Sequence, residues 1–198
     1  QPVDGLPELS AGGADFAFRK RLAGGYTIAR RNASGSEITP DSFRLFREFL
    51  PSLKTSWKEL RLRVGGQFLR EWRMPRHWAM DETTPFEQVR VLDPAPHASI
   101  LKEARDNLVR SFPAFAKIQE AERWGGLIDV TPDAVPVISA VDALPGFHLA
   151  TGFSGHGFGI GPGAGKLMAD IVAGDPTAVD AAPYAFGRFS KVIRPGKI

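Results

Sequence analysis

The stretch of this chain richest in chemical possibility is GFSGHGFGIGPGAGKLMADIVAG, running from Gly152 to Gly174. Seven of its first fourteen residues are glycine, and an apolar-periodic helix pattern follows. Each glycine inside a chain costs roughly 0.5–1 kcal/mol of ordering entropy relative to alanine. A run of them suggests that something approaches the backbone closely. A strand pattern lies before the run and a helix after it. Such junctions offer backbone N–H groups and a helix dipole to electron-rich ligands. Two phosphate motifs are excluded by spacing. No three glycines stand at i, i+2 and i+5, as a dinucleotide fingerprint requires. Gly165-Lys166 is followed by Leu167, and Ile160 stands where a P-loop needs its first glycine. What remains is an irregular loop leading into a helix, which suits a flat, electron-accepting group better than a triphosphate. The competing reading is that the glycines only permit tight packing of strand on helix. The residues alone leave both readings open. His156 is the one ionisable side chain within the run.

The elements that must position this segment follow from patterning. FAFRKRLAGGYTIARR predicts two strands around Gly24-Gly25, with Phe16, Phe18, Tyr26 and Ile28 alternating. Residues 1–15 read as a loop. ITPDSFRLFREFLPSL predicts a helix with Thr39 as N-cap, Pro40 in first position and Pro51 limiting its extent. Trp57–Trp72 is ambiguous, with a break at Gly65-Gly66. Residues 73–97 form an irregular excursion. HASILKEARDNLVRSFPAF is amphipathic, with Ile100, Leu101, Ala104, Leu108 and Phe112 on one side. IQEAERWGGLIDVTPDAVPVIS predicts strand, turn and strand, and GFHLATGFSG a buried strand. GKLMADIVAGDP predicts a helix ended by Gly174 at C′ and by Pro176. Trp57, Trp72, Trp78 and Trp124 are expected in packed cores, the Thr131-Pro132-Asp133 turn is expected to fix a hairpin, and Lys166 is expected to face solvent.

Composition bounds the function. The 198 residues carry 25 basic and 22 acidic side chains, a net charge of +3 without a basic stripe. Nucleic acid is therefore not an expected partner. No apolar run reaches the length of a transmembrane segment, and no metal-binding cluster is expected. The absence of cysteine rules out disulfides and thiolate ligation and fits a reducing, cytoplasmic setting.

RWGGLIDVTPDAVPVI, then HLATGFSGHGFGIGPGAGKLMADIVAG, then RFS near the end, resembles the D-amino-acid oxidase-like FAD-dependent oxidoreductases. This superfamily includes glycine oxidase, sarcosine oxidase and D-amino-acid dehydrogenase. The match is specific over residues 122–190 and looser over 16–60. The resemblance implies an α+β fold with a mixed, largely antiparallel substrate-domain sheet and flanking helices. It adds the C-terminal strand and helix of a Rossmann-like FAD domain. Residues 1–145 would be the substrate-binding portion, and 146–198 the segment completing the FAD domain. The family's N-terminal fingerprint is missing from these residues, so the resemblance implies a C-terminal half that needs an N-terminal FAD-binding half or subunit.

The implied activity is oxidation of a C–N bond of an amine, N-alkyl amino acid or D-amino acid by hydride transfer to flavin N5. By the same resemblance, Gly155, His156, Gly157, Phe158 and Gly159 line the flavin ring near N1 and the C2 carbonyl, with His156 as the catalytic candidate. Gly126 falls near the position where some members attach flavin through cysteine, so FAD would be non-covalent here. Sarcosine oxidases carry lysine where Gly159 stands, and its loss makes a dehydrogenase more plausible. A substrate-carboxylate arginine of glycine oxidase aligns with Ile128. Arg21 is carried as a substitute, beside Arg19, Arg76 and His77. The alternative is a non-catalytic binding or assembly module that keeps the fold without flavin.

Overall fold

The computed structural model describes Gly5, Leu6, Glu8 and residues 10–189. Ser190 of the RFS motif, and residues 1–4, 7 and 9 of the N-terminal stretch, lie outside the described residues. The chain divides into two compact units. The first comprises Gln1–Thr39, Trp57–Trp72 and Thr84–Leu127; the second comprises Pro40–Ser56, Arg73–Thr83 and Ile128–Ile198.

The first unit is organised by aromatic alternation. β1 (Ala11–Gly12), β2 (Ala17–Lys20) and β3 (Tyr26–Ala29) form an antiparallel sheet, with Phe18 opposite Ile28. β1 lies inside the stretch read as loop: Gly12 carries no side chain, so no alternation marked it. The hairpin turn spans Arg21–Gly25, closed by Arg21 N–H on the Gly25 carbonyl at 2.7 Å, and Gly24 alone takes a left-handed φ of 87°. Phe16 and Phe18 point to one face because side chains alternate along a strand. That face meets Leu108 of α5 (Ala98–Ser111) and Phe115 of the following 3-10 turn (Pro113–Lys117). The rings of Phe18 and Phe115 stand 5.1 Å apart, as do those of Tyr26 and Phe115.

β4 (Ser34–Glu37) and β5 (Leu60–Arg63) pair in parallel, Ser34 opposite Leu60. SGSE of β4 carries no apolar alternation, so the sequence predicts no strand at 34–37, whereas LRLR of β5 alternates inside a stretch that is ambiguous as a whole. Gly65 separates β5 from α3 (Gly66–Arg73), matching the expected break. A short α4 (Pro85–Gln88), closed by a Thr84–Glu87 capping box, sits in the otherwise irregular 73–97. Arg61 grips Glu103 through two bonds of 2.5 and 2.6 Å, and this pairing holds the Glu103 carboxyl below its usual range.

In the second unit, the helix expected after Thr39 is interrupted. α1 (Pro40–Arg44) and α2 (Phe46–Ser56) meet at Leu45, and Pro51 lies inside α2 instead of ending it. A proline removes one helical bond and crowds the carbonyl four residues back; here that is Arg47, and the break falls two residues before it. β6 (Val137–Ala140) pairs antiparallel with β7 (His148–Thr151), Val137 opposite Thr151.

The first of the two strands expected within IQEAERWGGLIDVTPDAVPVIS does not form. Among the described residues, the pairing ahead of β6 is an isolated bridge from Val130 to Phe153, so that segment has no neighbour to complete a ladder. β7 is half-buried to exposed rather than buried, because β6 is its only strand neighbour among the described residues. α6 (Gly157–Ala173) packs Ala164 and Leu167 on Ile138. Gly174 ends it in a left-handed conformation, φ 75°, with its N–H on the carbonyls of Asp170 and Ile171. The C-terminal stop is therefore where the sequence placed it.

The tryptophans depart from expectation. Trp57, Trp72, Trp78 and Trp124 are all exposed, Trp124 by 52%. Trp72 stacks on Phe68, one turn earlier in α3, but α2 and α3 contribute no buried residue. These rings cover no core in their own units. Among the described residues, no helix is long and apolar enough to cross a membrane.

Candidate functional site: the glycine turn and the start of α6

The junction between β7 and α6 lies wholly in the second unit. It reverses the chain within Gly152–His156 by an unusual sequence of left-handed residues: Gly152 at φ 71°, Ser154 at 51° and Gly155 at 84°. At Ser154 that conformation costs roughly 1–2 kcal/mol, so neighbouring groups must enforce it. Asp129 does so. Its Oδ2 accepts the Gly152 N–H at 2.8 Å and the Thr151 hydroxyl at 2.7 Å, while its main-chain carbonyl accepts the Ser154 N–H at 3.0 Å. Ser154 Oγ adds a 3.2 Å bond to the Gly152 carbonyl.

Thr131 closes the turn from the other side. Its methyl carbon would lie 2.3 Å from any Cβ at Gly152, so this position needs glycine for space as well as for φ. The expected role of the Thr131-Pro132-Asp133 turn is thereby refined. The Ala134 N–H bonds the Thr131 carbonyl at 3.1 Å, and Thr131 Oγ donates to the Val135 carbonyl at 2.8 Å. Arg188 grips Asp133 at 2.8 and 3.2 Å, which holds the Asp133 carboxyl below the usual aspartate range.

The loop is shorter than the glycine count implied. α6 begins at Gly157, so Gly157, Gly159, Gly161, Gly163 and Gly165 are helical, and Pro162 lies among them. Five glycines weaken a helix by on the order of 4–5 kcal/mol relative to alanine. Packing of Leu167, Ala164, Met168 and Ile171 overrides that preference. The irregular loop expected from sequence also offers fewer free N–H groups than its glycines suggest, since Asp129 consumes the donors of Gly152 and Ser154.

The donors left are those of the first helical turn. Gly157 and Phe158 have no carbonyl within the helix to bond, as at any helix start. The N-cap residue, His156, makes no side-chain capping bond, and the first turn carries no acidic residue. An electron-rich, flat ring edge fits this arrangement: uncapped donors, a favourable dipole end, and no acidic side chain in the first turn of the helix. Phe158 is fully exposed at 102%. A Cβ at Gly159, Gly161, Gly163 or Gly165 would meet nothing within 4 Å. Packing among the described residues therefore does not account for these four glycines, whereas it does account for Gly152 and, through a 3.3 Å approach to Phe153, for Gly157.

The other sequence candidates divide between the units. Ile128 is in the second unit, 57% exposed, with its side chain 3.8 Å from a Cβ built on Gly155. The structure thus brings Ile128 to the turn. Gly126 is exposed in the first unit, and so is Arg21, at the tip of the β2–β3 hairpin. Arg21 lines an open depression of about 490 Å³ with Arg19, Lys20, Leu22 and Ala23. Arg76 pairs with Asp41 at 3.3 Å, and His77 is exposed. Lys166 is largely exposed, as expected, and is paired with the buried Asp170. Sequence reasoning missed Asp129 and gave Thr131 too small a part. The available signal was an acidic residue two before the Thr-Pro-Asp turn, opposite a Gly-x-Ser-Gly reversal.

Residues 14–171 match the family profile described as DAO, FAD dependent oxidoreductase. A D-amino acid dehydrogenase of Paramagnetospirillum magneticum is 36% identical over 88 residues, 44% of this chain and 21% of that protein. The sarcosine oxidase subunit beta of an Arthrobacter species is 33% identical over 90 residues, 46% of this chain and 22% of that one. A glycine oxidase of Pseudomonas aeruginosa is 30% identical over 93 residues, 47% and 26% of the respective chains. Among solved structures, the L-amino acid deaminase from Proteus myxofaciens in complex with anthranilate superposes with a TM-score of 0.86 at 31% identity, covering 95% of this chain and 42% of that chain. The L-amino acid deaminase from Proteus vulgaris gives 0.80 at 27% identity, covering 88% and 40%. The chain spans well under half the length of these relatives.

Proposed function

Because this chain belongs to the DAO family of FAD-dependent oxidoreductases, we propose that it forms the flavin-ring end and part of the substrate site of an amino acid or amine oxidoreductase. The observation that carries this is the uncapped start of α6 behind a turn locked by Asp129 and Thr131. Gly155, Gly157 and Phe158 would hold the ring edge through backbone N–H groups, and Gly159, whose own N–H is held by the His156 carbonyl at 3.1 Å, would line it without a side chain. His156 at the N-cap would contact flavin or substrate. When bound, FAD supplies the acceptor for a hydride, at N5, from the carbon of the substrate's C–N bond. Donors with a helix N-terminus behind them stabilise negative charge developing on that edge. The chain contributes fixed geometry: Asp129 sets the turn, and the turn aims the first amides of α6. Gly159 in place of lysine favours a dehydrogenase over an oxygen-using oxidase.

Residues 146–198 would complete an FAD domain whose pyrophosphate site lies elsewhere, since no dinucleotide fingerprint occurs in these 198 residues. An exposed, uncharged seam on α6 supports that partner. Phe158, Pro162, Gly165, Ala169 and Val172 recur at spacings of four and three and are all exposed. The apolar pattern of the sequence predicts a partner-facing side of Leu167, Met168, Ile171 and Val172; of these Leu167 is buried and Met168 and Ile171 pack on the core of their own unit, which leaves Val172. A dinucleotide-binding half seated on the seam would bury an interface above roughly 2,000 Å².

The test is spectroscopic. The chain joined with a dinucleotide-binding half should take up FAD and show flavin absorption. Anaerobic addition of a D-amino acid, an L-amino acid or sarcosine should bleach it for one substrate class. A combined protein that stays colourless in excess FAD defeats this reading.

A further inference from the structure

We infer that Arg188 is a positioning residue for the Gly152–His156 turn, acting through Asp133, Val135 and Thr131 and touching neither substrate nor cofactor. Its guanidinium spans four acceptors. Nε and Nη2 meet Asp133 at 2.8 and 3.2 Å, Nη2 meets the Val135 carbonyl at 2.6 Å, and Nη1 meets the Ala185 carbonyl at 3.1 Å. The cation also lies 4.2 Å from the centre of the Phe189 ring. A planar fork of this kind fixes direction as well as distance.

The Val135 carbonyl is the shared node. It accepts from Arg188 and also from Thr131 Oγ, at 2.8 Å. Thr131 is buried, 8% exposed, and its hydroxyl is held between this acceptor and the Asp133 carboxylate, both of which Arg188 grips. Two heavy atoms on Cβ move together; a hydroxyl fixed on Val135 therefore fixes the methyl over Gly152. Between them, Ala134 holds a left-handed φ of 57°, a strained conformation for a residue that carries a Cβ. Asp133 restrains that strained loop by accepting the Val135 N–H at 3.1 Å, and Arg188 in turn anchors Asp133. Without Arg188, Ala134 can relax, Val135 turns, and Thr131 leaves Gly152 open on one side. Asp129 continues to hold the other side, so the turn loosens without unfolding.

The link from Arg188 to the turn stands on this geometry alone. The link onward to flavin rests on the function proposed above. Hydrogen exchange measured by mass spectrometry on the whole chain separates the two. Arg188→Met should raise exchange of the amides of residues 152–157 by about tenfold, and Arg188→Lys should recover part of the protection. Arg123→Gln, which removes an exposed pair with Glu120, should change nothing there. Thr131→Ser keeps the hydroxyl and removes the methyl. It should loosen residues 152–157 while leaving 131–135 protected, which reads the last contact of the chain; Asp133→Asn, which weakens the pair that Arg188 grips, should loosen both 131–135 and 152–157 and reads the Arg188 link if Arg188→Met does not fold. Unchanged exchange at 152–157 in Thr131→Ser, or in a folded Arg188→Met whose 131–135 exchange rises, overturns the inference. In the FAD-loaded complete protein, Arg188→Met should shift the flavin spectrum and Arg188→Lys should restore it. A loosened turn with an unmoved spectrum would uphold the positioning role and defeat the flavin assignment.

Discussion

In the first unit, Phe16, Phe18, Leu108 and Phe115 close a core on one another, with Tyr26, Ile28 and Phe112 around them. In the second, the helix that follows the glycine turn buries one side on Ile138 and leaves Phe158 and Val172 uncovered on the other. The first region is held by side chains that find partners within their own unit. The second is held by a few polar locks on the backbone, while its apolar seam and its amides face outward. The difference separates structure that stabilises the chain from structure that the chain offers to something else. Substitutions in the two regions should therefore have different signatures.

The largest effect belongs to the closed core. Phe115→Ala removes a fully buried ring in contact with three others and should cost about 3–5 kcal/mol in denaturant unfolding. A loss near 1 kcal/mol would mean the aromatic cluster is not the stabilising centre. Next is Gly152→Ala, which meets both a positive φ and the Thr131 methyl. It should destabilise by about 2–4 kcal/mol, with Thr131→Ser relieving part of the loss in the double variant.

Gly165→Ala sharpens the contrast because its two effects should have opposite signs. A methyl there meets nothing within 4 Å and the residue is helical, so the chain alone should gain about 0.5–1 kcal/mol. Association with a dinucleotide-binding half should weaken, because Gly165 lies in the open seam. Equal or tighter association, measured by calorimetry, would remove the seam from the interface.

The smallest effect is on pH dependence. Arg188 holds the Asp133 carboxyl below its usual range, so this pair contributes stability at neutral pH. That contribution is intact above the ordinary aspartate value of about 3.9 and is lost as pH falls through the lower folded value. Asp133 is partly exposed, so the contribution is modest. The wild-type acid limb should be steeper than that of Arg188→Met below about pH 4; identical limbs would show that the pair adds nothing.

Side-chain periodicity made the core and the ends of the main helices legible. Phe16, Phe18, Tyr26 and Ile28 alternate, the α5 stripe carries Ala104 and Leu108 to the interior, and Gly174 marks a C-terminus. Where no side chain speaks, the sequence was silent or misleading. Gly-rich β1 and the polar Ser34–Glu37 strand have no alternation, and the start of α6 is hidden behind glycines that propensity assigns to loop. Ring size predicts a core position for the tryptophans, whereas all four are exposed. The site was half legible. The glycine segment pointed to the right junction, but the fixation by Asp129 is a long-range bond to a turn that no local pattern announces.

The most direct measurement is the footprint of FAD on amide exchange across residues 152–165, taken for the chain alone and joined with a dinucleotide-binding half. With both present, FAD should protect the amides of Gly155, Gly157 and Phe158 and leave those of Gly152 and Ser154, already held by Asp129, unchanged. The chain alone should show little protection at micromolar FAD. Protection absent from 155–159 in a complex that demonstrably holds FAD would contradict the assignment of this turn and helix start as the flavin edge.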